Sequence, residues 1–355
     1  MTPDVGPAEL ARLSRQMTLK LALAELPIGG AKGGIVCALP HGTERDRQLR
    51  AFGELAAPLL RGGIYLGSDQ GITYRDRAVI FEAAGYEVAD HGGHPPLPCS
   101  WAELWDRCYG ITGFGLAEAI CAVLHDDRQR GRLGPRSPAP TVVVQGFGTV
   151  GRGAASHLTG RGFRIVAVAD RQCTVARPEG LTLDPLLAAT DPAGLIDRAA
   201  LPPEITVRDG PEAWLDVPAD VLLLAAGSGA LRADNVHRVN AGLVVEGANQ
   251  PCTDAALAVL DERAIPVVPG LVANAGGAIA TGVVLTGQAP PAPNADSLAA
   301  GLHEEVRRRI IAAFAVVGKR ATAEGISLVH AAERVAAERV EFRPEEHGKE
   351  PQKVG

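Results

Sequence analysis

Thr141-Val142-Val143-Val144-Gln145-Gly146-Phe147-Gly148-Thr149-Val150-Gly151 decides the fold. Its β-branched run suits a strand buried on both faces of a parallel sheet. The glycines that follow suit a tight turn into a helix, and an Ala/Gly-rich helical stretch comes next. A second apolar run, Arg164 to Ala169, ends on Asp170, nineteen residues past the last glycine (170 − 151). Strand, G-x-G-x-x-G, helix, strand and acid in this order form the context that a dinucleotide fingerprint requires. Gly146, Gly148 and Gly151 allow the turn and the approach of a pyrophosphate. Thr149 and Val150 open the helix, whose free N–H groups and positive dipole end favour an anion. Asp170 is placed to accept hydrogen bonds from an adenosine ribose, which favours NAD. Arg171 beside it can hold a 2′-phosphate, so NADP stays open.

Downstream the alternation of strand and helix continues. Asp220 to Ala226, Gly242 to Glu246 and Ile265 to Val268 read as strands, and Thr253 to Arg263 as a helix. Ligands of open parallel sheets sit at the strands' carboxyl ends. Ala226, Asn249 and Asn274 stand at or near such ends and are candidate contacts to the cofactor. Asparagines there are also common as caps or turn residues. The expected class is α/β, with a Rossmann-type doubly wound parallel sheet.

Upstream lies a second unusual stretch, Leu26-Pro27-Ile28-Gly29-Gly30-Ala31-Lys32-Gly33-Gly34-Ile35. One lysine stands among glycines between apolar flanks. Glycine removes side-chain bulk and lets a ligand reach the backbone. An ammonium poorly hydrated by apolar walls has a lowered pKa and can act as a base. A flexible surface turn is the plainer reading. Pro7 to Ala24 has helical periodicity, with proline and Glu9 in the first turn. Lys20 falls on the edge of its apolar face, either snorkelling to water or aimed into a pocket with a negative partner. With Lys32 it makes two ammonium groups that can converge on one anionic ligand. Helices are expected over Glu44 to Leu60, Tyr74 to Ala84, Trp101 to Cys108 and Leu116 to Leu124, and a short strand over Ile64-Tyr65-Leu66. Asp69, in the turn Gly67-Ser68-Asp69-Gln70-Gly71, is turn chemistry or a carboxylate held at a cleft.

Composition excludes several classes. The 355 residues suit two domains, and the 46% hydrophobic content comes in runs too short to span a membrane. A net charge of −6 argues against nucleic acid. Cys37, Cys99, Cys108, Cys121, Cys173 and Cys252 form no CxxC pair and read as reduced core thiols. The nine histidines form no HxxxH or HExxH pattern, and His91 and His94 stand in a Gly/Pro loop, so no metal site is expected. The start MTPDVGPAELARL has no basic segment before an apolar block, so a cytoplasmic location is expected. Gly131 to Pro140 and Gln288 to Asp296 read as connectors. Two C-terminal helices are expected to start at Ser297 and Ser327, and Arg307 to Arg309 reads as a solvated basic face.

MTLKLALAELPIGGAKGG, SDQGIT, ITGFGLAEAI, VVVQGFGTVG, VVEGANQPCT and LVANAGGAIATG occur in this order. Through them the chain resembles the glutamate/leucine/phenylalanine/valine dehydrogenase family almost from end to end. The resemblance implies a smaller α/β catalytic domain beside the Rossmann domain, with a cleft between them. It places a catalytic domain at 1–110, a dinucleotide domain at 111–287, C-terminal helices packing back at 288–343 and a disordered tail at 344–355. It implies that Lys20 binds the substrate α-carboxylate, that Lys32 and Asp69 are catalytic and that Thr112 touches the cofactor. Gly30, Asn274 and Thr281 would contact the substrate, Thr281 at the position that sets side-chain specificity. The implied reaction is NAD(P)-dependent oxidative deamination of an L-amino acid to a 2-oxo acid and ammonia, with glutamate favoured, in a homo-oligomer.

Three departures stand out. The family's glycine-rich segment with its own lysine or leucine, and the strands that help it oligomerise, would precede Met1, so a shortened first domain with a weakened oligomer is expected. GSDQG carries Gln70 where an apolar residue is more usual, and His91 to Tyr109 departs from the usual pattern. A non-catalytic NAD-binding partner subunit, or an imine-reducing or cyclodeaminase-like enzyme acting on an unusual amine, therefore stay as alternatives.

Overall fold

The structure is a computed structural model that describes residues 1, 5–37, 39, 40, 42–67, 71–88, 96–126 and 139–341. Strand β1 (Thr141–Gln145) lies between β2 (Arg164–Ala169) and β5 (Ala219–Leu224) and runs parallel to both. Beyond β5 follow β6 (Ala241–Glu246) and β7 (Val267–Val268), also parallel. At the other edge β3 (Cys173–Ala176) and β4 (Thr206–Asp209) add in antiparallel register. Among the described residues the sheet order is β4-β3-β2-β1-β5-β6-β7.

The apolar runs form central strands because both faces of the sheet are covered. Val142, Val144, Val221, Leu223, Leu243 and Val245 enter one core, and Val143, Leu222, Leu224 and Val244 enter the other. This is the side-chain alternation of a strand with hydrophobic residues on both sides. Chain order leaves β1 for β2 on one side and β5 on the other, so the switch point lies between the carboxyl ends of β1 and β5.

Helix α1 (Pro7–Leu23) leads into the glycine loop, and α2 (Thr43–Arg61), α3 (Tyr74–Ala84) and α4 (Trp101–Arg107) follow it. Helix α5 (Ile111–His125) precedes β1, and α6 (Thr149–Thr159) joins β1 to β2. After β3 come α7 (Leu183–Ala188), α8 (Asp254–Glu262), α9 (Gly270–Ala273), α10 (Gly276–Leu285), α11 (Ala295–Glu324) and α12 (Leu328–Glu341). Buried apolar residues of α1, α5, α6, α10, α11 and α12 belong to the same core as one face of the sheet. Among the described residues no single helix is long and apolar enough to cross a membrane, and no group of three His, Cys, Asp or Glu could hold a metal ion.

Several sequence expectations are corrected. Ile64 to Leu66 pairs with no strand among the described residues. Side chains hold it instead: Tyr65 packs edge-on against Phe81 and Trp101, and its hydroxyl accepts from Arg77 at 2.9 Å and from Trp101 at 3.2 Å. Helix α5 starts at Ile111, not Leu116, because Gly113 and Gly115 are contact points rather than breakers. A Cβ on Gly113 would lie 2.3 Å from the Ala154 nitrogen, and one on Gly115 2.8 Å from the Ile310 side chain. Arg307 and Arg308 are exposed, but Arg309 is buried. Asp69, His91, His94, most of the 131–140 connector and the 344–355 tail lie outside the described residues.

Candidate active site

The glycine loop is clamped onto α1. The Ser14 hydroxyl donates to the Gly30 carbonyl at 2.8 Å, and the Gly30 N–H donates to the Thr18 hydroxyl at 2.9 Å. A Cβ at Gly30 would lie 2.4 Å from the Met17 Cβ and 2.6 Å from the Thr18 nitrogen, so only glycine lets the loop lie this close. Lys32, two residues on, is half-buried. Lys20, on the same helix, is 7% exposed and does not snorkel. Its ammonium donates to the Asn249 side-chain oxygen at 2.6 Å, just past the carboxyl end of β6.

Beneath Lys20 lies Glu246, the last residue of β6, also buried. Burial pushes its carboxyl above the ordinary value. Hydrogen bonds from Gly270 and Cys252, and the nearby charge of Lys20, oppose that shift without cancelling it. The Gly270 N–H donates to Glu246 Oε2 at 2.9 Å. Asn274 is tied to the same strand end, its Nδ2 donating to the carbonyls of Glu246 at 3.2 Å and Ala248 at 2.8 Å. Its Oδ1 is buried without a hydrogen-bond partner. A buried acceptor left open is costly unless a ligand or water supplies the donor.

At the switch point the three glycines do different work. Gly146 has φ +93°, and a Cβ there would lie 2.5 Å from the Ala226 nitrogen. A Cβ on Gly151 would lie 2.0 Å from the Gly146 carbonyl oxygen. Around Gly148 nothing comes within 4 Å of an added Cβ, and as N-cap of α6 it brings no side chain to the helix's first N–H groups. Thr149 is exposed and Val150 half-buried beside this rim. Open space above free N–H donors at a helix N-terminus suits a phosphate.

Asp170 is committed to backbone. Its Oδ1 accepts from the N–H groups of Gln172 at 2.7 Å and Cys173 at 2.8 Å, and Oδ2 from Ile196 at 2.9 Å. Burial alone would raise its pKa, but these bonds outweigh it and hold the carboxyl below its ordinary value. It is therefore ionised, and a carboxylate with three donors retains acceptor capacity for a hydroxyl. Thr112, in the first turn of α5, meets the start of α10: a Cβ on Gly277 would lie 2.8 Å from its hydroxyl. Thr281 is half-buried one turn along α10 from Gly277, on the same face. Cys37, Cys108, Cys173 and Cys252 are buried free thiols and Cys99 and Cys121 are half-buried; burial pushes Cys108 up to about 12.

The structure thus joins Lys20 to Asn249, Gly146 to Ala226, and Thr112 to the face that carries Thr281. Asn274 stands beside the first pair. Asp69 lies outside the described residues. Sequence reasoning missed Ser14, Thr18 and Glu246. The first two have a legible signal, hydroxyls four residues apart on the helix before a glycine loop.

Residues 106–348 match the family described as Glutamate/Leucine/Phenylalanine/Valine dehydrogenase, and residues 1–83 match the Glu/Leu/Phe/Val dehydrogenase dimerisation domain. The chain belongs to this dehydrogenase family. Within it the chain is 31% identical over 291 residues to glutamate dehydrogenase B of Halobacterium salinarum, covering 78% of this chain and 63% of the relative. It is 30% identical over 287 residues to an NAD-specific glutamate dehydrogenase of Staphylococcus aureus, covering 78% and 65%. The chain thus spans less than two thirds of the length of these relatives. Among solved structures it is similar to the hetero-hexameric glutamate dehydrogenase of Thermus thermophilus in its leucine-bound form. That match has a TM-score of 0.78 and 28% identity, and covers 99% of this chain and 81% of the other.

Proposed function

We propose that the chain is an NAD-dependent amino-acid dehydrogenase that converts an L-amino acid, glutamate foremost, to its 2-oxo acid and ammonia, NADP being the less favoured cofactor. The observation that carries this reading is the buried Lys20–Asn249 contact, which joins the helix holding the glycine loop to the carboxyl ends of the sheet. Substrate-binding charge and nucleotide-binding edge thereby share one site. The open rim at Gly148 and the spare acceptor on Asn274 fit a dinucleotide with a carboxamide or ribose hydroxyl to donate. Glutamate dehydrogenases among the relatives of about 30% identity favour that substrate.

When bound, NAD supplies the hydride acceptor for the substrate α-carbon. Gly146, Gly148, Thr149, Val150 and Gly151 hold its pyrophosphate, Asp170 its adenosine ribose, and Thr112, Ala226, Asn249 and Asn274 its nicotinamide end. Lys20 grips the α-carboxylate of the substrate, and Gly30 lets it approach the loop. Lys32 orients the water that adds to the α-carbon once hydride loss has left an imine there, before the nitrogen departs as ammonia. Asp69 takes and returns the proton of the amino group. Thr281 faces the substrate side chain, where a hydroxyl favours a polar group.

The test is a panel of L-amino acids with NAD or NADP, followed by the absorbance of the reduced nicotinamide. The expected result is reduction with glutamate and NAD, and a loss of at least about 100-fold in kcat for Lys32→Ala. No reduction with any amino acid, with NAD binding unchanged by Lys32→Ala, would contradict the assignment and favour a non-catalytic binding subunit.

A further inference from the structure

The carboxyl end of α1 carries an unusual load of arginine. A helix leaves its last carbonyls without intrahelical partners. Here the chain turn itself satisfies some of them: Ala24 N–H donates to the Lys20 carbonyl at 3.0 Å, Glu25 to Ala22 at 3.0 Å and Leu26 to Leu21 at 2.9 Å. Glu25 takes a left-handed conformation (φ +57°) to make this turn, a cost for a residue with a Cβ.

Two guanidinium groups from the C-terminal helices meet the carbonyls at this end. From α12, Arg339 Nη1 donates to Leu23 O at 2.7 Å and Ala22 O at 3.3 Å, while its Nη2 donates to the Glu25 carboxylate at 3.0 Å. From α11, Arg309 Nη1 donates to Ala24 O at 2.5 Å and Glu25 O at 3.4 Å. Arg309 is buried and aimed by Glu305, at 3.1 Å from its Nε, and by Gln288, at 2.7 Å from its Nη2. Four consecutive carbonyls, 22 to 25, thus face cations at the negative end of the helix dipole. Beside them lies an open groove of about 320 Å³ lined by Ala22, Glu25, Leu26, Pro27 and Arg339.

Lys20 lies three residues before Leu23, less than one turn from this cap. The loop bearing Lys32 begins just beyond it. We infer that Arg309 and Arg339 are positioning residues: their guanidinium groups clamp the carboxyl end of α1 and so fix where Lys20 meets the carboxylate of the substrate. The inference rests on the reading of Lys20 as the carboxylate ligand. The C-terminal helices thereby form part of the substrate site without touching substrate.

The test compares Arg339→Ala, Arg339→Lys and Arg309→Lys with the parent chain. Arg339→Ala raises the KM for the amino acid about tenfold, because a small displacement of a binding group weakens a contact made only in good geometry. The KM for NAD changes by no more than about twofold, since the pyrophosphate turn lies on another element and, among the described residues, Asn249 is the cofactor contact that meets Lys20. Arg339→Lys, which keeps the cation but loses the two-carbonyl fork, falls between. Amide hydrogen exchange of Ala24 to Leu26 quickens about tenfold in Arg339→Ala, while Val142 to Val144 stay protected. Unchanged amino-acid KM and unchanged exchange in folded variants would overturn the inference. So would a fall in kcat that merely follows the folded fraction while both KM values hold. If the parent chain turns over no amino acid, the functional reading fails, and hydrogen exchange together with calorimetric binding of 2-oxoglutarate decides the inference. Binding equal in parent and Arg339→Ala, or absent from both, then refutes it, while weaker binding with faster exchange upholds it.

Discussion

Asp76 is a buried carboxylate paired with Arg45. Burial alone would raise its pKa. Arg45, donating from Nη2 at 2.9 Å and Nε at 3.2 Å, and the N–H and hydroxyl of Thr73, each at 2.8 Å, hold it down to about 2 instead of 3.8. Arg45 also donates to the carbonyls of Gly71 at 2.7 Å and Leu39 at 3.3 Å, so the pair ties α2 and α3 to these two backbone positions. The folded chain binds this proton more weakly than the unfolded chain. Its contribution is therefore complete above about pH 4 and is lost as pH falls through the folded value near 2. Urea titrations between these pH values should show about 2 kcal/mol of stability lost from this group. Asp76→Asn should lack that slope and lose about 3–5 kcal/mol at neutral pH, because Arg45 is left buried and unpaired. An identical pH slope in the variant would show that the pair is not its source. Lys20 was legible at this scale, since its place on the edge of the apolar face allowed a partner. Arg309 was not: it stands in a basic run that reads as solvated, and only the buried stripe Leu302, Val306, Arg309 and Ala313 sets it apart from Arg307 and Arg308.

At the scale of elements, the turn between β1 and α6 separates folding from binding. Gly146 is packed against Ala226 and has positive φ, whereas Gly148 borders open space. Gly146→Ala should therefore lower the thermal midpoint, in line with about 1–3 kcal/mol of overpacking. Gly148→Ala should leave the midpoint nearly unchanged and weaken NAD about tenfold or more, because the methyl enters the space assigned to the pyrophosphate. Equal losses of stability in both variants would remove the distinction. Central strands β1, β2, β5 and β6 were legible because both faces are buried, which leaves continuous apolar runs. Strands β3 and β4 were not: all four residues of β4 are exposed, so no apolar pattern marks it, and β3, though wholly buried, is only four residues long. They form because β2 offers an edge, a tertiary fact invisible in a local window. Helix α5 was read short because glycines resemble breakers in sequence, while their use as contact points against α6 and α10 needs the partner helices in view.

At the scale of the molecule, the site is assembled from distant parts of the chain. Lys20 and Asn249 are 229 positions apart, and Arg309 reaches back 285 positions to Ala24. Motifs in the sequence located each part, but not the contacts among them. Glu246 stands between Lys20 and Asn274, and no local pattern sets it apart from the other residues of its strand. The single core that joins α1, one face of the sheet and the C-terminal helices explains why these pieces hold a fixed relation. If substrate and NAD meet in this site, hydride passes from the α-carbon to the nicotinamide. Incubating the chain with NAD and glutamate deuterated at the α-carbon, then weighing the reduced cofactor, tests it most directly. One deuteron carried on the reduced nicotinamide is the expected result. Reduced cofactor without deuterium, or none formed, would contradict it.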